Sequence, residues 1–495
     1  MLKLAPCAAL LPFFLAACAV GPRYQQPLVH GEAAFTTQAA MFDPATPPPD
    51  DWWRLYRDPV LDDLIARAFA ANADLRVATA NLARSQAVVQ EARSSRLPAT
   101  SLTGGVNYGN ATVGGSGVSS ASSAPYGQAA EWSQSGALAV SWEIDLFGRV
   151  ARTIDAARSD AAAVEAARDT VRVTVAAETT RTYLKACAAA FALDVARGSY
   201  DASEASLKLV TAQERAGSVG KLDVERAGAA AATARAAIPA LEEQRQVALF
   251  ELAALVGATP DKVPEGARAC LAPPEPIAVL PVGDGTALLR RRPDLRQAER
   301  QLAADTARIG IATADLYPQI SLGGAANYFR DNYVRGSDSL TFQTGPLLSW
   351  SFPNLTSARS RIRQAEAQGD ASLAAFDGRV LTALKEVEQA LSTVDAEQRQ
   401  YDALREAQDR SQKAYDFANL RYRAGSIGYL DVLVAQANLF AARASYAGSI
   451  QRLSSARVDL FKALGGGWQN RVTAEGPSEE KATVTISAAQ AIPPR

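Results

Sequence analysis

The chain has 495 residues and a formal net charge of −1; 48 % of its residues are hydrophobic and only 7 % aromatic. Near-neutral charge excludes an electrostatic nucleic-acid binder, which needs clustered Lys and Arg to displace counterions. Alanine dominates the apolar fraction, and an alanine-rich, mixed-charge chain favours long, closely packed helices over a thick aromatic core.

At the N-terminus Lys3 precedes an apolar run from Leu4 to Leu15, followed by Leu15-Ala16-Ala17-Cys18. A short apolar stretch ending in small residues reads as a secretory signal, and Leu-Ala-Ala-Cys resembles a bacterial lipobox. The expectation is a signal peptide over 1–17 and a covalent lipid on Cys18. The alternative is an ordinary signal with an incidental cysteine. Ala19 resembles the residue of lipoproteins sorted to the outer membrane, because Asp usually marks inner-membrane retention there. Once Cys18 is acylated, only Cys187 and Cys270 can pair within the chain, and sequence leaves open whether they do. No later stretch reaches about 18 apolar residues, so any membrane crossing must be made of strands.

An internal repeat organises the rest. Asn72-Ala73-Asp74-Leu75-Arg76 matches Arg292-Pro293-Asp294-Leu295-Arg296 at an offset of 220, and 97–102 matches 317–322 at the same offset. Arg215-Ala216-Gly217-Ser218-Val219-Gly220 matches Arg423-Ala424-Gly425-Ser426-Ile427-Gly428 at an offset of 208, as does Ser141-Trp142 with Ser349-Trp350. The 12-residue change falls between Tyr108 and Gln134, and the Gly/Ser-rich stretch from Gly104 to Gly127 suits a surface loop.

In each copy a helix (Ala73–Leu97, then Pro293–Tyr317) runs up to a proline or its equivalent. Two strands follow, within hairpins at about 99–147 and 318–352. Proline-free runs of 68 residues, 149–216 and 357–424, read as single helices of roughly 100 Å. Returning helices over 221–257 and 429–465 have 37 residues each, with a kink expected at Pro239. Laid end to end, the 25-residue and 37-residue helices nearly match the long one. Val150, Ile154, Ala157, Ala161, Val164, Val171 and Val175 form a coiled-coil seam on the first long helix, with Arg168 in the gap. A cytoskeletal-type rod would share that seam.

The strands alternate. Leu102, Val106 and Tyr108 face away from Ser101, Thr103 and Asn107, and Leu138, Val140, Trp142, Ile144 and Leu146 from Ser141, Glu143 and Asp145. In the second copy Ile320, Leu322, Ala326 and Tyr328, then Leu340, Phe342, Leu348, Trp350 and Phe352, form the apolar set, with Leu347 breaking the polar one. A membrane barrel requires this alternation; a half-buried soluble sheet has it too. Glu143 and Asp145 fit a watery lumen or a solvent face equally. Four strands are too few to enclose a pore, since small barrels need about eight. A membrane role therefore predicts several chains sharing one barrel.

Three motifs carry a family resemblance from Cys18 to about Trp468. Cys18-Ala19-Val20-Gly21-Pro22-Arg23-Tyr24 resembles the opening of lipoprotein outer-membrane efflux factors, the TolC-type (NodT/OprM-like) branch serving resistance-nodulation-division (RND) pumps. Trp142-Glu143-Ile144-Asp145-Leu146-Phe147-Gly148-Arg149 is similar to that family's strand-to-helix motif, and 423–433 to its helical-hairpin tip. The resemblance implies a mainly α protein with a membrane β-barrel portion. Each chain would give four strands and four long helical staves, and a homotrimer would form a twelve-stranded barrel on an α-helical tunnel. It divides the chain into an acylated extension with an equatorial helix (18–71), repeat 1 (72–258), a linker (259–292), repeat 2 (293–466) and a tail (467–495).

The implied function is an exit channel of a tripartite efflux system, passing small molecules from an inner-membrane RND pump and a periplasmic adaptor across the outer membrane. Gly217, Ser218, Gly220, Gly425, Ser426 and Gly428 would meet the adaptor. Leu430 and Asp431 match the family's gate positions, and Val434 stands where an acid is often found. Asp431, like Asp223, also reads simply as an acid complementing a helix N-terminus. No catalytic, metal or cofactor site is expected beyond the lipid: His30 is the only histidine, and no CxxC or Walker loop occurs. A type I protein-secretion component and a pore-free coiled-coil lipoprotein remain the alternatives.

Overall fold

The computed structural model describes residues 20–27, 35–109, 130–274, 278–285, 290–350, 352 and 355–466. Cys18, most of the Gly/Ser-rich loop (110–129) and the tail from 467 lie outside them. Helix α1 (Pro59–Ala71) is followed by α2 (Ala73–Ser94), strands β1 (Ala99–Gly109) and β2 (Glu131–Ile144), and the long helix α3 (Arg149–Arg215). The first return path is α4 (Lys221–Ala236) and α5 (Ile238–Leu255). The second half comprises α6 (Pro293–Ala314), β3 (Gln319–Arg330), β4 (Leu340–Ser349), α7 (Thr356–Arg423) and α8 (Tyr429–Ala463). The strand expected over 101–108 runs through Gly104 and Gly105, so the Gly/Ser-rich loop does not begin there, and the interruption expected at Pro239 splits the return path over 221–257 into two helices.

The strands form one antiparallel sheet in the order β1-β2-β3-β4. Its register puts the predicted apolar set on one face: Leu102 opposes Leu138, which opposes Ala326, which opposes Phe342. Ser101, Ala139, Ala325 and Gln343 line the other face. Leu347 lies on that second face, against Gly323. The apolar face is bare: Leu102 is 81 % and Phe342 84 % exposed. Trp132, its ring tilted against Tyr108 at 5.1 Å, and Trp142 bracket this band. The ten residues separating them rise about 25 Å at barrel tilt, the height of a membrane barrel's apolar belt. Trp142 and Trp350 each donate their indole N–H to a carbonyl at the foot of the preceding helix, Arg96 at 3.0 Å and Leu316 at 3.1 Å. β4 ends at Ser349, short of the expected Phe352, and Trp350 stacks on Phe352 instead.

Helix α3 is the centre of the helical layer. It packs against α2 and then α4–α5 on one side, and against α6 and then α8 on the other, with α7 beyond those two. Five members of its predicted seam are buried, but so are Ala156, Ala163, Ala166 and Val173 on other faces. A helix with neighbours on both flanks needs small residues all round, which alanine supplies without loss of helix propensity. The outermost helices differ. Helix α7 buries a single seam, through Ser372, Phe376, Val380, Ala383, Val387 and Val394, and α2 buries only Leu75, Leu82 and Val89.

Each pair of shorter helices is joined end to end by one side chain. Asn72 accepts from the N–H groups of Asp74 and Leu75 at the start of α2 and donates to the Leu255 carbonyl at the end of α5, 3.1 Å away. Its counterpart Arg292 donates to the Ala463 carbonyl ending α8 (2.9 Å), to Asp294 (2.8 Å) and to Glu386 of α7 (2.6 Å). Around these joints lies the main core, where Trp52 stacks on Phe461 at 5.0 Å and Leu61, Leu64 and Ile65 of α1 share one apolar cluster with residues of α3, α5, α7 and α8. Cys187 of α3 and Cys270 of the linker form a disulfide there, closing a separation of 83 residues.

Burial opposes ionisation of Asp294, yet hydrogen bonds and charge from Arg292 outweigh it and hold the carboxyl below its ordinary 3.8. A depressed folded-state pKa adds stability above the unfolded value, lost as pH falls through the folded one. Thermal unfolding followed by circular dichroism should therefore be flat down to about pH 5 and weaken below about pH 4. Arg292→Ala, which strands a half-buried carboxylate and a helix end, should cost about 2–3 kcal/mol and shrink that acid limb. Cys270→Ser should lower stability by about 2–4 kcal/mol under oxidising conditions, and reduction should abolish the difference from wild type.

Candidate functional site

The two ends of the molecule carry different chemistry. At the strand end, the motif Trp142–Arg149 turns a strand into a 100 Å helix. Asp145 accepts from the N–H groups of Val150 (3.1 Å) and Ala151 (2.8 Å), satisfying the open first turn of α3. Glu143 makes a two-pronged ion pair with Arg149, whose Nε lies 2.9 Å away. Both acids, whose parity fits a lumen or a solvent face, also hold the corner, and Asp145 stays exposed. Phe147 stacks on Tyr317 of the other half at 4.6 Å.

The chain's opening segment reaches the same corner. The Val20 N–H donates to the Phe147 carbonyl at 3.2 Å. Gly21, at φ +89°, lies so close to Gly310 that a Cβ would stand 2.6 Å from the Gly310 Cα. Tyr24 donates to Glu299 at 2.8 Å. Residues 20–24 thus run down α6 away from the foot of the sheet, and Cys18 precedes Val20 by two positions, outside the described residues.

At the other end the two hairpin tips are alike. Gly217 (φ +75°) and Gly425 (φ +71°) follow the last residues of α3 and α7. Gly217 N–H donates to Glu214 and Ser218 N–H to Gln213; Gly425 N–H donates to Tyr422 and Ser426 N–H to Arg421. This paired pattern closes a helix through a left-handed residue. The serine hydroxyls repeat the bonds to Gln213 (2.9 Å) and Arg421 (3.0 Å). Gly220 and Gly428 then precede α4 and α8 in extended conformation. All six predicted tip residues are therefore at the extreme turn, with open space around their glycines. A small core of Val210, Ala227, Tyr429 and Val432 ties the hairpins together. Tyr422 donates to Gln213 across it at 2.7 Å, and the Ser206 and Tyr429 hydroxyls meet at 2.9 Å. Burial raises the Tyr429 phenol above its ordinary value, against the opposing hydrogen bond with Ser206.

Leu430, Asp431 and Val434 share the exposed face of the first turns of α8, opposite buried Tyr429 and Val432. The repeat makes Asp431 informative. Its counterpart Asp223 pairs with Arg226 at 3.6 Å. The residue in Arg226's place is Val434, and Asp431 has no ion pair among the described residues. Both acids sit in the first turn of a helix, as a dipole-complementing acid would, but only one is left as a bare exposed carboxylate. Among the described residues no three His, Cys, Asp or Glu side chains converge on a metal-sized site.

A lipid-sized apolar band on an open sheet, carried on long staves that end in polar glycine turns, defines an outer-membrane channel protein. The outer membrane efflux protein family matches residues 64–258 and 286–466, and the chain belongs to it. It is 32 % identical to the pyoverdine export outer membrane protein OpmQ of Pseudomonas aeruginosa, over 85 % of this chain and 88 % of that one. It is 30 % identical to the toluene efflux pump outer membrane protein TtgF of Pseudomonas putida, over 92 % and 95 %. Among solved structures, the outer-membrane channel OprN superposes with a TM-score of 0.80 at 31 % identity, covering 92 % of this chain and all of that one. The protein is thus a TolC-type efflux channel of the outer membrane that extends into the periplasm.

Both tip glycines can be tested directly. With no atom within 4 Å of an added Cβ at Gly217 or Gly425, Gly→Ala there should cost about 1 kcal/mol through backbone conformation alone. Gly→Asn should cost less, since Asn tolerates the left-handed region. Urea unfolding of the four single variants would rank them.

Proposed function

We propose that three copies of this chain form a lipid-anchored exit duct through which an inner-membrane RND pump and its periplasmic adaptor expel small molecules. The carrying observation is the pair of unpaired sheet edges beside a bare apolar face. Among the described residues β1 and β4 each lack a neighbour on one side, and in lipid an open strand edge is prohibitive. A β1 edge of one copy meeting the β4 edge of the next is a head-to-tail contact that closes into a ring. Three copies give twelve strands, and the single-seamed outer helices α2 and α7 would complete each other in the same rotation.

Acylation of Cys18 agrees with the start of the described chain at the foot of the sheet, where Val20 is held by Phe147. The tip turns at Gly217, Ser218, Gly220, Gly425, Ser426 and Gly428 present polar backbone suited to an adaptor. The bare carboxylate of Asp431, flanked by Leu430 and Val434, would form a ring of three at the narrow end, attracting cations. In the name of one relative the cargo is pyoverdine and in another toluene. For this chain the cargo class is small toxic or drug-like molecules.

Single-channel recording in planar bilayers tests the duct. Discrete conductance with a cation preference is expected; silent, folded trimers would refute it. Val434→Arg, which rebuilds the Asp223–Arg226 arrangement, should reduce the cation preference about as much as Asp431→Asn. Stability should move by no more than about 0.5 kcal/mol. Both effects should fade in molar salt, where the Debye length is about 3 Å.

A further inference from the structure

Between the main core and the tip, α3, the α4–α5 bend and α8 enclose an open-sided cavity of about 650 Å³. Two sequence features create it. Pro239 breaks the first return path, so that α4 stops at Ala236 and α5 resumes at Ile238; the repeat counterpart of Pro239 is Ala447, inside an unbroken α8. The facing helices set several small side chains toward the bend, Ala192 and Ala196 from α3 and Ala437 and Ala441 from α8, so the space is not refilled. Leu241, Leu433 and Phe440 complete the apolar wall, and no Asp, Glu, Lys or Arg lines it.

One polar group stands out. Gln436 is 2 % exposed and lines the cavity. Its amide nitrogen reaches Ser203 Oγ at 3.5 Å, while its carbonyl oxygen has no hydrogen-bond partner among the described residues. A carbonyl oxygen with no protein donor is an acceptor open to a ligand's hydroxyl or N–H. Ligand pockets have this size and this composition, apolar walls with a few placed polar groups.

We propose that this cavity is a binding site for neutral, mainly apolar small molecules carrying one hydroxyl or N–H donor, such as phenols or arylamines. Such a ligand lies against the alanine walls and donates to Gln436 Oε1. The absence of lining charge excludes ions, which would leave water without a partner. The site rests on the efflux-channel reading, because its ligands are molecules in transit along the duct.

The test uses full-length protein in lipid nanodiscs, titrated with N-phenyl-1-naphthylamine, a neutral fluorophore with one N–H, against empty nanodiscs as the partition background. A saturable component of about one probe per chain is expected. Ala192→Leu combined with Ala441→Phe should remove it while leaving conductance unchanged. Gln436→Leu should weaken it on the order of 5- to 10-fold without changing stoichiometry. If the double variant does not fold, Ala441→Leu alone should still weaken binding. No saturable component in conducting wild-type protein overturns the proposal, including the case where a neighbouring copy fills the cavity. So does saturable binding unaltered by the filling substitutions. Loss of conductance in folded wild-type protein would instead defeat the channel reading, which the fluorescence does not measure.

Discussion

The architecture depends on two splices. A helix of 67 or 68 residues is too long for the single short partners this chain provides, so α2 with α4–α5, and α6 with α8, must run on as if unbroken. Abutting helices set one C-terminus, rich in unpaired carbonyls and partial negative charge, against one N-terminus of opposite character. Asn72 and Arg292 convert that attraction into fixed bonds, to the carbonyls of Leu255 and Ala463. The second splice also takes in Glu386, so one buried guanidinium ties three helices at the level where α1 and Trp52 build the core. Without the joints the upper and lower halves of each stave would be independent levers. With them, the staves act as continuous beams.

Beams packed side by side need thin side chains, which explains the composition. Helix α3 has partners on both flanks, and alanine lets it bury several faces while remaining close to them. The layer is open at α2 and α7 just as the sheet is open at β1 and β4. Helical and strand edges therefore demand the same kind of neighbour, related by the same rotation. Chain closure is one problem with one solution, and not two separate interfaces.

Much of this was legible in the sequence because the signals were periodic. The period-2 alternation of β1–β4 placed Leu102, Leu138, Leu322 and Phe342 on the bare face, and the 208-residue offset located both tip turns. What stayed hidden depended on contacts across the chain. Strand parity left Glu143 and Asp145 fitting a lumen or a solvent face equally and did not show that their bonds go to Arg149 and to the first turn of α3. An acid a few residues ahead of a helix start is a capping signal that could have been weighed against parity. Gly104 and Gly105 fall both in the alternating strand and in the Gly/Ser-rich stretch, and the ladder with Gly136 and Ser135 decides for β1. The Cys187–Cys270 bond joins segments whose proximity only the fold creates. The seam on α3 was read as one stripe, since sequence does not reveal how many neighbours a helix has.

The two copies differ where their tasks differ. Near the membrane they keep the same devices: Trp142 and Trp350 bond equivalent carbonyls, and the hairpins of the two copies alternate in phase. Toward the tip they diverge. Copy one has the Pro239 break and the paired Asp223–Arg226; copy two has a straight α8 and a bare Asp431 beside Val434. Lipid and strand pairing impose the same conditions on both copies at one end. At the other, the shared glycine turns fix the backbone and leave the first turns of α4 and α8 free to vary in charge. A duplicated chain can thus keep a symmetric wall while giving one return helix of each subunit a neutral, bent form and the other an acidic, straight one. The pairwise difference at Arg226 and Val434 is the smallest substitution that does so, because it removes a counter-ion without moving the carboxylate.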